Sequence, residues 1–346
     1  MQYYEYDWER TQAGSVRLLG VYGQTEEAKV PESVSGLPVT ELAPYCFAPD
    51  GHLHGQSHEH LPGHYETTAF VYDGEQELWQ EKSEAGHSKD RGCMRLCGSC
   101  IKRLTLPDTV ESIGNLAFYN CTALEKIELG SRMEQLGSDV FMNCRSLHAL
   151  VLRSGIGEKS GARKILAQLP GDVTVTFLAA DGEETVVFYP EYTEHYDEIA
   201  PAHIFGRSIE GEGFRARQCF RDGVADLTQY DTIFKKACAE ESDDTLRKIV
   251  CTRLEYPAGM TETAKSRYLE YLSAHGTEIC VWLTRQKSIE TIARFCENGW
   301  LPRKAVEESA AEAARGGWAE GAALLLHLKK QYFKASAQER YTFDDF

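Results

Sequence analysis

Shifted by 23 residues, the middle of the chain overlays itself. LTLPDTVESIGNLAFYNCTALEK, from Leu104, lies over IELGSRMEQLGSDVFMNCRSLHA, from Ile127. Nine positions agree in kind: Leu104/Ile127, Leu106/Leu129, Val110/Met133, Ile113/Leu136, Gly114/Gly137, Phe118/Phe141, Asn120/Asn143, Cys121/Cys144 and Leu124/Leu147. A third start follows at Leu150 and Leu152. A unit this short cannot bury its own apolar face and needs neighbours stacked on either side. The repeat therefore demands a solenoid.

The physics of one turn follows from its residues. Leu104-Thr105-Leu106 alternates apolar and polar, as a short strand with one buried face should. Pro107 ends the pairing because it has no N–H to donate. Gly114 is expected to take a positive φ, and Phe118 to fill the interior of the coil. Asn120 is expected to stack on Asn143 and satisfy loop backbone groups. Cys121 and Cys144 then sit one coil apart as buried thiols in a ladder, a structural role and not a catalytic one.

At Val110, Ile113, Gly114, Ala117, Phe118 and Cys121 the sequence resembles the treponemal-type leucine-rich repeat family, named for the BspA surface antigens. That family's repeat runs L-x-x-I-x-[IL]-P-x-x-V-x-x-I-G-x-x-A-F-x-x-C. VPESVSGLPVTELAPYCFA resembles its opening repeat through Val30, Pro31, Gly36-Leu37-Pro38-Val39, Leu42 and Phe47. Ala43 stands where the glycine belongs and Cys46 where alanine is usual, so a distorted coil is expected there. The resemblance covers about residues 15–155 with one interruption. It implies a curved β-solenoid with few helices, used as a binding platform, and its well-known members are cell-surface adhesins.

VTVTFLAADGEETVVFYPEY predicts a hairpin, Val173–Leu178 and Thr185–Tyr189, that covers the last face of the solenoid. Residues 191–225 hold Gly206, Gly211 and Gly213 without a following GK[ST], and are expected to be a structured connector. From Asp226 the period becomes helical, with candidate helices at 227–240, 243–255, 262–274, 277–286, 288–298, 303–315 and 318–332. Gly276, Gly299 and Gly317 are read as helix ends, and Pro302 as a helix start. The stretch from Ser288 is similar to ankyrin-type hairpins, although the TPLH opening is absent. The expected fold is α+β. A short, right-handed leucine-rich-repeat β-solenoid closed by a β-hairpin occupies 1–190, with an insertion at about 49–100. The connector, an all-α domain of stacked helical hairpins at 226–335 and a tail at 336–346 follow.

The insertion is the stretch the repeat does not explain. It holds His52, His54, His58, His60, His64 and His87, six of the chain's eleven histidines, together with Cys93, Cys97 and Cys100. Its sequence GHLHGQSHEHLPGH reads as a polar, flexible excursion. Zinc takes four thiolate or imidazole donors, so Cys93, Cys97 and Cys100 with His87 form a candidate set for a zinc-binding module. The Cys-x3-Cys-x2-Cys spacing is also similar to that of radical SAM enzymes, which implies an iron–sulfur alternative. Ser99 departs from that family's pattern, where an aromatic usually stands. In register, Gly98 takes the place of Cys121 and Ile101 that of Leu124, so the cysteines also fit as near-register core thiols.

Net charge sharpens the functional reading. The total is −16, but residues 101–170 carry +2 while 49–100 carry −5 and 171–225 carry −7. No basic stripe interleaved with aromatics is present, which excludes the nucleic-acid-binding class. No apolar run is long enough to span a membrane, and MQYYEYDWER lacks the basic start and apolar stretch of an export signal. With eleven cysteines, an odd number, the expectation is a reduced, bacterial-type cytosol. G-x-S-x-G, H-E-x-x-H, P-loop and dinucleotide fingerprints are all absent, so a non-catalytic protein-interaction scaffold without a resident cofactor is expected. Its candidate contact residues are the outward ones of the repeat strands, Arg103, Thr105, Lys126, Glu128 and His148. A BspA-type adhesin would need an export route.

Overall fold

Leu104 and Ile127, equivalent in the repeat, face one another across a parallel ladder, as do Ile113 and Leu136. The computed structural model describes residues 1–49, 65–82, 92–199 and 204–333. They form two compact units, Met1–Glu240 and Glu241–Phe346.

The first unit opens with β1 (Gln2–Arg10) antiparallel to β2 (Val16–Gly23), then β3 (Glu27–Lys29), β4 (Ser33–Val34) and β5 (Leu37–Leu42). Within the insertion lie β6 (Glu66–Asp73), β7 (Leu78–Lys82) and β8 (Met94–Arg95), strands that the composition of this stretch did not suggest. The excursion at 51–64 lies outside the described residues. The regular coils follow as β9 (Arg103–Thr105), β10 (Ser112–Ile113), β11 (Lys126–Gly130), β12 (Gln135–Leu136) and β13 (Ala149–Arg153). A short helix α1 (Ala162–Leu166) precedes β14 (Val173–Leu178) and β15 (Glu184–Tyr189), the predicted closing hairpin. Two sheets result. The first runs β12-β10-β5-β2-β1-β6-β7, with β4 and β8 at its sides, and the second runs β15-β14-β13-β11-β9-β3.

Leu106 and Leu129, matched in sequence, differ in the fold. Both are buried, but Leu129 lies within β11 and pairs with Leu152, whereas Leu106 falls just past the end of β9. The next residue decides it. Pro107 has no N–H to carry the ladder on, and Gly130, its equivalent one coil later, continues it opposite Arg153. The strand expected at Leu104-Thr105-Leu106 therefore runs one residue earlier, Arg103–Thr105, although the Leu106 N–H still donates to the Glu128 carbonyl at 2.8 Å.

Each coil is held by the same contacts. Phe47, Phe118 and Phe141 stack at 5.2 and 5.5 Å between ring centroids. Asn143 donates to Asn120 Oδ1 at 2.7 Å, and both asparagines sit at positive φ. The thiols form the expected ladder. Cys121 Sγ donates to the Phe47 carbonyl and Cys144 Sγ to that of Phe118, at 3.2 and 3.1 Å. Burial pushes the Cys121 thiol well up and that of Cys144 to about 12.

Gly114 does a different job from the one expected. Its φ is not positive; instead a Cβ there would run into the backbone nitrogen of Pro44 in the preceding coil. Gly137 meets Asn115 in the same way, at 2.5 Å. The glycine exists so that successive turns can touch. Ala43 needs none, because its neighbour β2 continues as a strand past Leu18 instead of turning. The first coil therefore keeps its register, with Leu42 beside Ile113 and Phe47 on Phe118.

The chain ends its ladders with side chains. β1 is buried along most of its length, and Tyr4, Tyr6, Phe70 and Tyr72 surround Trp79 at 4.7–6.3 Å. Beyond the last coil, Gln168 accepts from the Val140 N–H and donates to the Gly137 carbonyl, both at 2.8 Å. Lys164 of α1 donates to the Glu134 carbonyl. The carboxamide of Gln168 thus supplies one donor and one acceptor where another coil would have presented its backbone.

The described part of the connector is structured. It contains the hairpin β16 (Thr193–Ile199) and β17 (Ile204–Glu210), α2 (Gly213–Ala216), and a two-residue pair, β18 (Phe220–Arg221) and β19 (Val224–Ala225). Arg217 anchors it. The guanidinium is buried and donates to the carbonyls of Leu169, Pro190, Gly171 and Gly213 at 2.5–2.9 Å. Desolvation lowers it to about 10. Helix α3 (Leu227–Glu240) closes this unit, starting where Asp226 accepts the Gln229 N–H.

The second unit holds α4 (Asp243–Glu255), α5 (Glu262–Arg285), α6 (Ile289–Glu297), α7 (Arg303–Arg315) and α8 (Ala319–Tyr332), packed as helical hairpins. Ser242 and Thr261 cap α4 and α5 by accepting from Thr245 and Ala264 N–H groups. Gly299 and Gly317 end helices at positive φ, as expected. Gly276 does not. The segments 262–274 and 277–286 are one helix with a kink at His275, and a Cβ on Gly276 would lie 3.3 Å from Pro302. Close packing, and not termination, explains that glycine.

Candidate functional site

Strands β3, β9, β11 and β13 present two outward rows. Glu27, Arg103, Lys126 and Ala149 align in one, and Lys29, Thr105, Glu128 and Val151 in the other. Alternation fixes this: Ala28, Leu104 and Ile127 point inward and are buried, so their flanking residues point out. The rows lose charge along the sheet, passing through Ala149 and Val151 to Thr174 and Thr176.

Four of the five predicted contact residues meet here. Arg103, Thr105, Lys126 and Glu128 line a hollow of about 140 Å³ together with Glu27, Ala28, Lys29 and Leu104. His148 is elsewhere. It precedes β13 and lies in the turn, with Nδ1 2.7 Å from the Ser146 carbonyl, because the outward strand positions there are Ala149 and Val151. A second, larger cavity of about 370 Å³ shares Glu27 and Lys29 and is bounded by Met1, Gln2 and the β6–β7 turn, Tyr72 to Glu75.

The charges are partly matched. Arg103 Nη1 bonds Glu27 Oε1 at 2.5 Å, and Lys102 Nζ bonds Glu26 Oε2 at 2.5 Å, which raises the Lys102 ammonium above its ordinary range. Arg153 holds Glu128 at 2.8 Å and Asp108 at 2.7 Å, and also donates to the Leu106 carbonyl, tying three coils together. Lys29 Nζ lies 4.4 Å from the centroid of the Tyr72 ring and 3.2 Å from its hydroxyl. Glu27, Lys29 and Arg153 escaped the sequence reading. The signal was present, since Ala28-Lys29-Val30-Pro31 aligns with Leu104-Thr105-Leu106-Pro107.

The proposed metal donors are not brought together among the described residues. Cys93 is buried beside Tyr3 and Ala69, whereas Cys97 precedes a tight turn, Gly98–Cys100, on the ladder side. His87 lies outside the described residues. No group of three or more His, Cys, Asp or Glu side chains among the described residues could hold a metal ion.

A 23-residue coil with two parallel ladders and a stacked phenylalanine spine defines a leucine-rich-repeat solenoid. Residues 92–160 match the family model described as BspA type leucine rich repeat region (6 copies), in agreement with the resemblance carried by Val110 to Cys121. No curated protein matches the chain. Three solved structures are similar over part of their lengths. A leucine-rich repeat protein from Bacteroides capillosus shares 19% identity, covering 42% of this chain and 76% of that one, with a TM-score of 0.26. A leucine rich repeat protein of T. pallidum shares 17%, covering 43% and 51%, with a TM-score of 0.24. A leucine rich cell surface protein from Faecalibacterium prausnitzii shares 14%, covering 44% and 36%, with a TM-score of 0.24. No described helix is long and apolar enough to cross a membrane.

Proposed function

We propose that this chain is a non-catalytic protein–protein interaction scaffold whose contact surface is the outer face of the second sheet. The observation that carries this reading is the hollow over β3, β9 and β11, where rigid strands hold Arg103, Thr105, Lys126 and Glu128 together. Side chains mounted on strands keep their spacing without loop ordering, which lowers the entropic cost of docking a protein partner. The thiol ladder supports a reducing compartment such as the cytosol, because Cys121 and Cys144 act as S–H donors.

The test is charge reversal of Arg103 and Lys126 together. Proteins captured from native lysate by the wild-type chain are expected to be lost, with the thermal unfolding midpoint unchanged. An unaltered capture profile overturns the assignment of this face.

A further inference from the structure

The carboxylates of the hollow are already occupied, and two of its cations are not. Glu27 takes Arg103 Nη1, and Glu128 takes Arg153 Nη1. Lys126 and Lys29 have no carboxylate partner among the described residues. Lys29 is also pre-oriented, its ammonium held against the Tyr72 ring and hydroxyl, which fixes its position and leaves its charge intact. Arg103 gives Glu27 one arm only, and its side chain is 60% exposed.

Spacing suggests what these groups would meet. Two steps of about 4.8 Å between strands, with a two-residue offset along them, put the Lys29 and Lys126 positions roughly 12 Å apart, the span of about five residues of extended chain. Extended chain also places alternate side chains on one side. The net charge of −16 acts at long range and is screened beyond about 8 Å at physiological salt, so the local cations decide docking at contact distance.

We infer that the face between β3 and β11 recognises an acidic segment of a partner protein in extended conformation, with alternate carboxylates on Lys126, the free arm of Arg103 and Lys29. The inference rests on the scaffold reading and specifies its partner. Asp73 and Glu75 line the larger cavity beyond Lys29 and bound the acidic stretch on that side.

The test uses the full chain and a labelled peptide in which Glu and Thr alternate, followed by fluorescence anisotropy. The Glu–Thr peptide is expected to bind and to weaken as salt rises, while peptides alternating Gln or Lys with Thr do not bind. Lys126→Gln and Lys29→Gln are each expected to weaken binding roughly tenfold. Lys304→Gln, on an exposed side chain of α7, is expected to change nothing. Failure of the Glu–Thr peptide to bind, equal binding of the Gln–Thr peptide, or unchanged affinity in both hollow variants overturns the inference. If the Arg103/Lys126 reversal still removes captured proteins in that case, the scaffold stands and only the acidic chemistry is wrong. If capture survives the reversal, the face itself is wrong.

Discussion

The hydroxyl of Tyr6 donates to the backbone carbonyl of Lys29 at 2.5 Å, and Tyr4 does the same for Glu27 at 3.1 Å. Glu26 and Val30 bond toward β9, so the carbonyls of Glu27 and Lys29 point to the free edge of the sheet. At the opposite edge, Tyr230 of α3 donates to the Phe188 carbonyl at 2.5 Å, again on the side facing away from the neighbouring strand. An open edge is a template for further strands, and here phenols occupy its acceptors. A tyrosine suits the task because its ring joins the core while its hydroxyl reaches out. Burial raises the Tyr6 hydroxyl far above its ordinary range, which keeps it a donor.

Removing these hydroxyls should therefore cost stability and open the edges. Tyr6→Phe and Tyr230→Phe are each expected to lose about 1–3 kcal/mol in urea unfolding. Being at opposite ends of one sheet, they should add within about 0.5 kcal/mol. Light scattering should show concentration-dependent association of the double variant. A fully monomeric double variant would contradict the edge-capping role.

Gly114→Ala should be far worse than its single methyl suggests, on the order of 2–4 kcal/mol, since the new carbon meets backbone of the neighbouring coil. Ala43→Gly, at the equivalent position of the first coil, should cost only about 1 kcal/mol. Chemical denaturation of the two variants distinguishes close approach from a positive-φ requirement.

The buried thiols of the solenoid, Cys144 of the ladder and Cys46 outside it, predict an alkaline limit. Cys46 and Cys144 are pushed up to about 12 by burial. Below their ordinary value both folded and unfolded states hold the proton, and stability does not depend on pH through them. Between about 9 and 12 the unfolded thiols ionise and the folded ones do not, so stability falls across that window. Replacing both cysteines with Ala should make that part of the profile less steep, the remainder coming from the other buried thiols, Cys121, Cys219, Cys251, Cys280 and Cys296. An unchanged slope would assign the loss to other groups.

Gln168 provides a sharper test of how the solenoid ends. Gln168→Glu keeps an acceptor for the Val140 N–H and loses the donor to the Gly137 carbonyl. It should destabilise by about 1–3 kcal/mol, and Gln168→Ala by a similar amount. Hydrogen exchange at Val140 should accelerate in the Ala variant and stay slow in the Glu variant.

What was legible in the residues was whatever repeats. Leu104 to Leu147 stated its own strands, its phenylalanine spine and its thiol ladder, because each position is confirmed one coil later. Even there the match of Leu106 with Leu129 hid a difference in strand length, set by Pro107 against Gly130. The helix starts at 243 and 262 and the helix ends at Gly299 and Gly317 were legible through local signals, and the caps Ser242 and Thr261 stand where those starts place them. The ends were not. Tyr4, Tyr6, Gln168 and Arg217 each reach backbone groups between 23 and 48 residues away in sequence, and no periodicity announces them. The hollow was half legible for the same reason. Arg103, Thr105, Lys126 and Glu128 lie on repeat strands, whereas Lys29 owes its posture to Tyr72 from the insertion.

The turn after each stacked phenylalanine closes locally in the later coils, where the N–H groups of Cys121 and Cys144 bond the carbonyls of Phe118 and Phe141. In the first coil the same bond is made by Gly98 to Phe47, at 3.1 Å, across the whole insertion. The geometry is equivalent, but the search is not: closing a long loop carries an entropy that a three-residue turn avoids. Assembly should therefore have a direction. Residues 104–153, rich in short-range contacts, should gain protection first, and Phe47 should be enclosed only after Gly98 returns. Pulse-labelling hydrogen exchange during refolding should find amides of β10 and β11 protected before those of β5. The oldest-looking coil in chain order would then be the youngest in time.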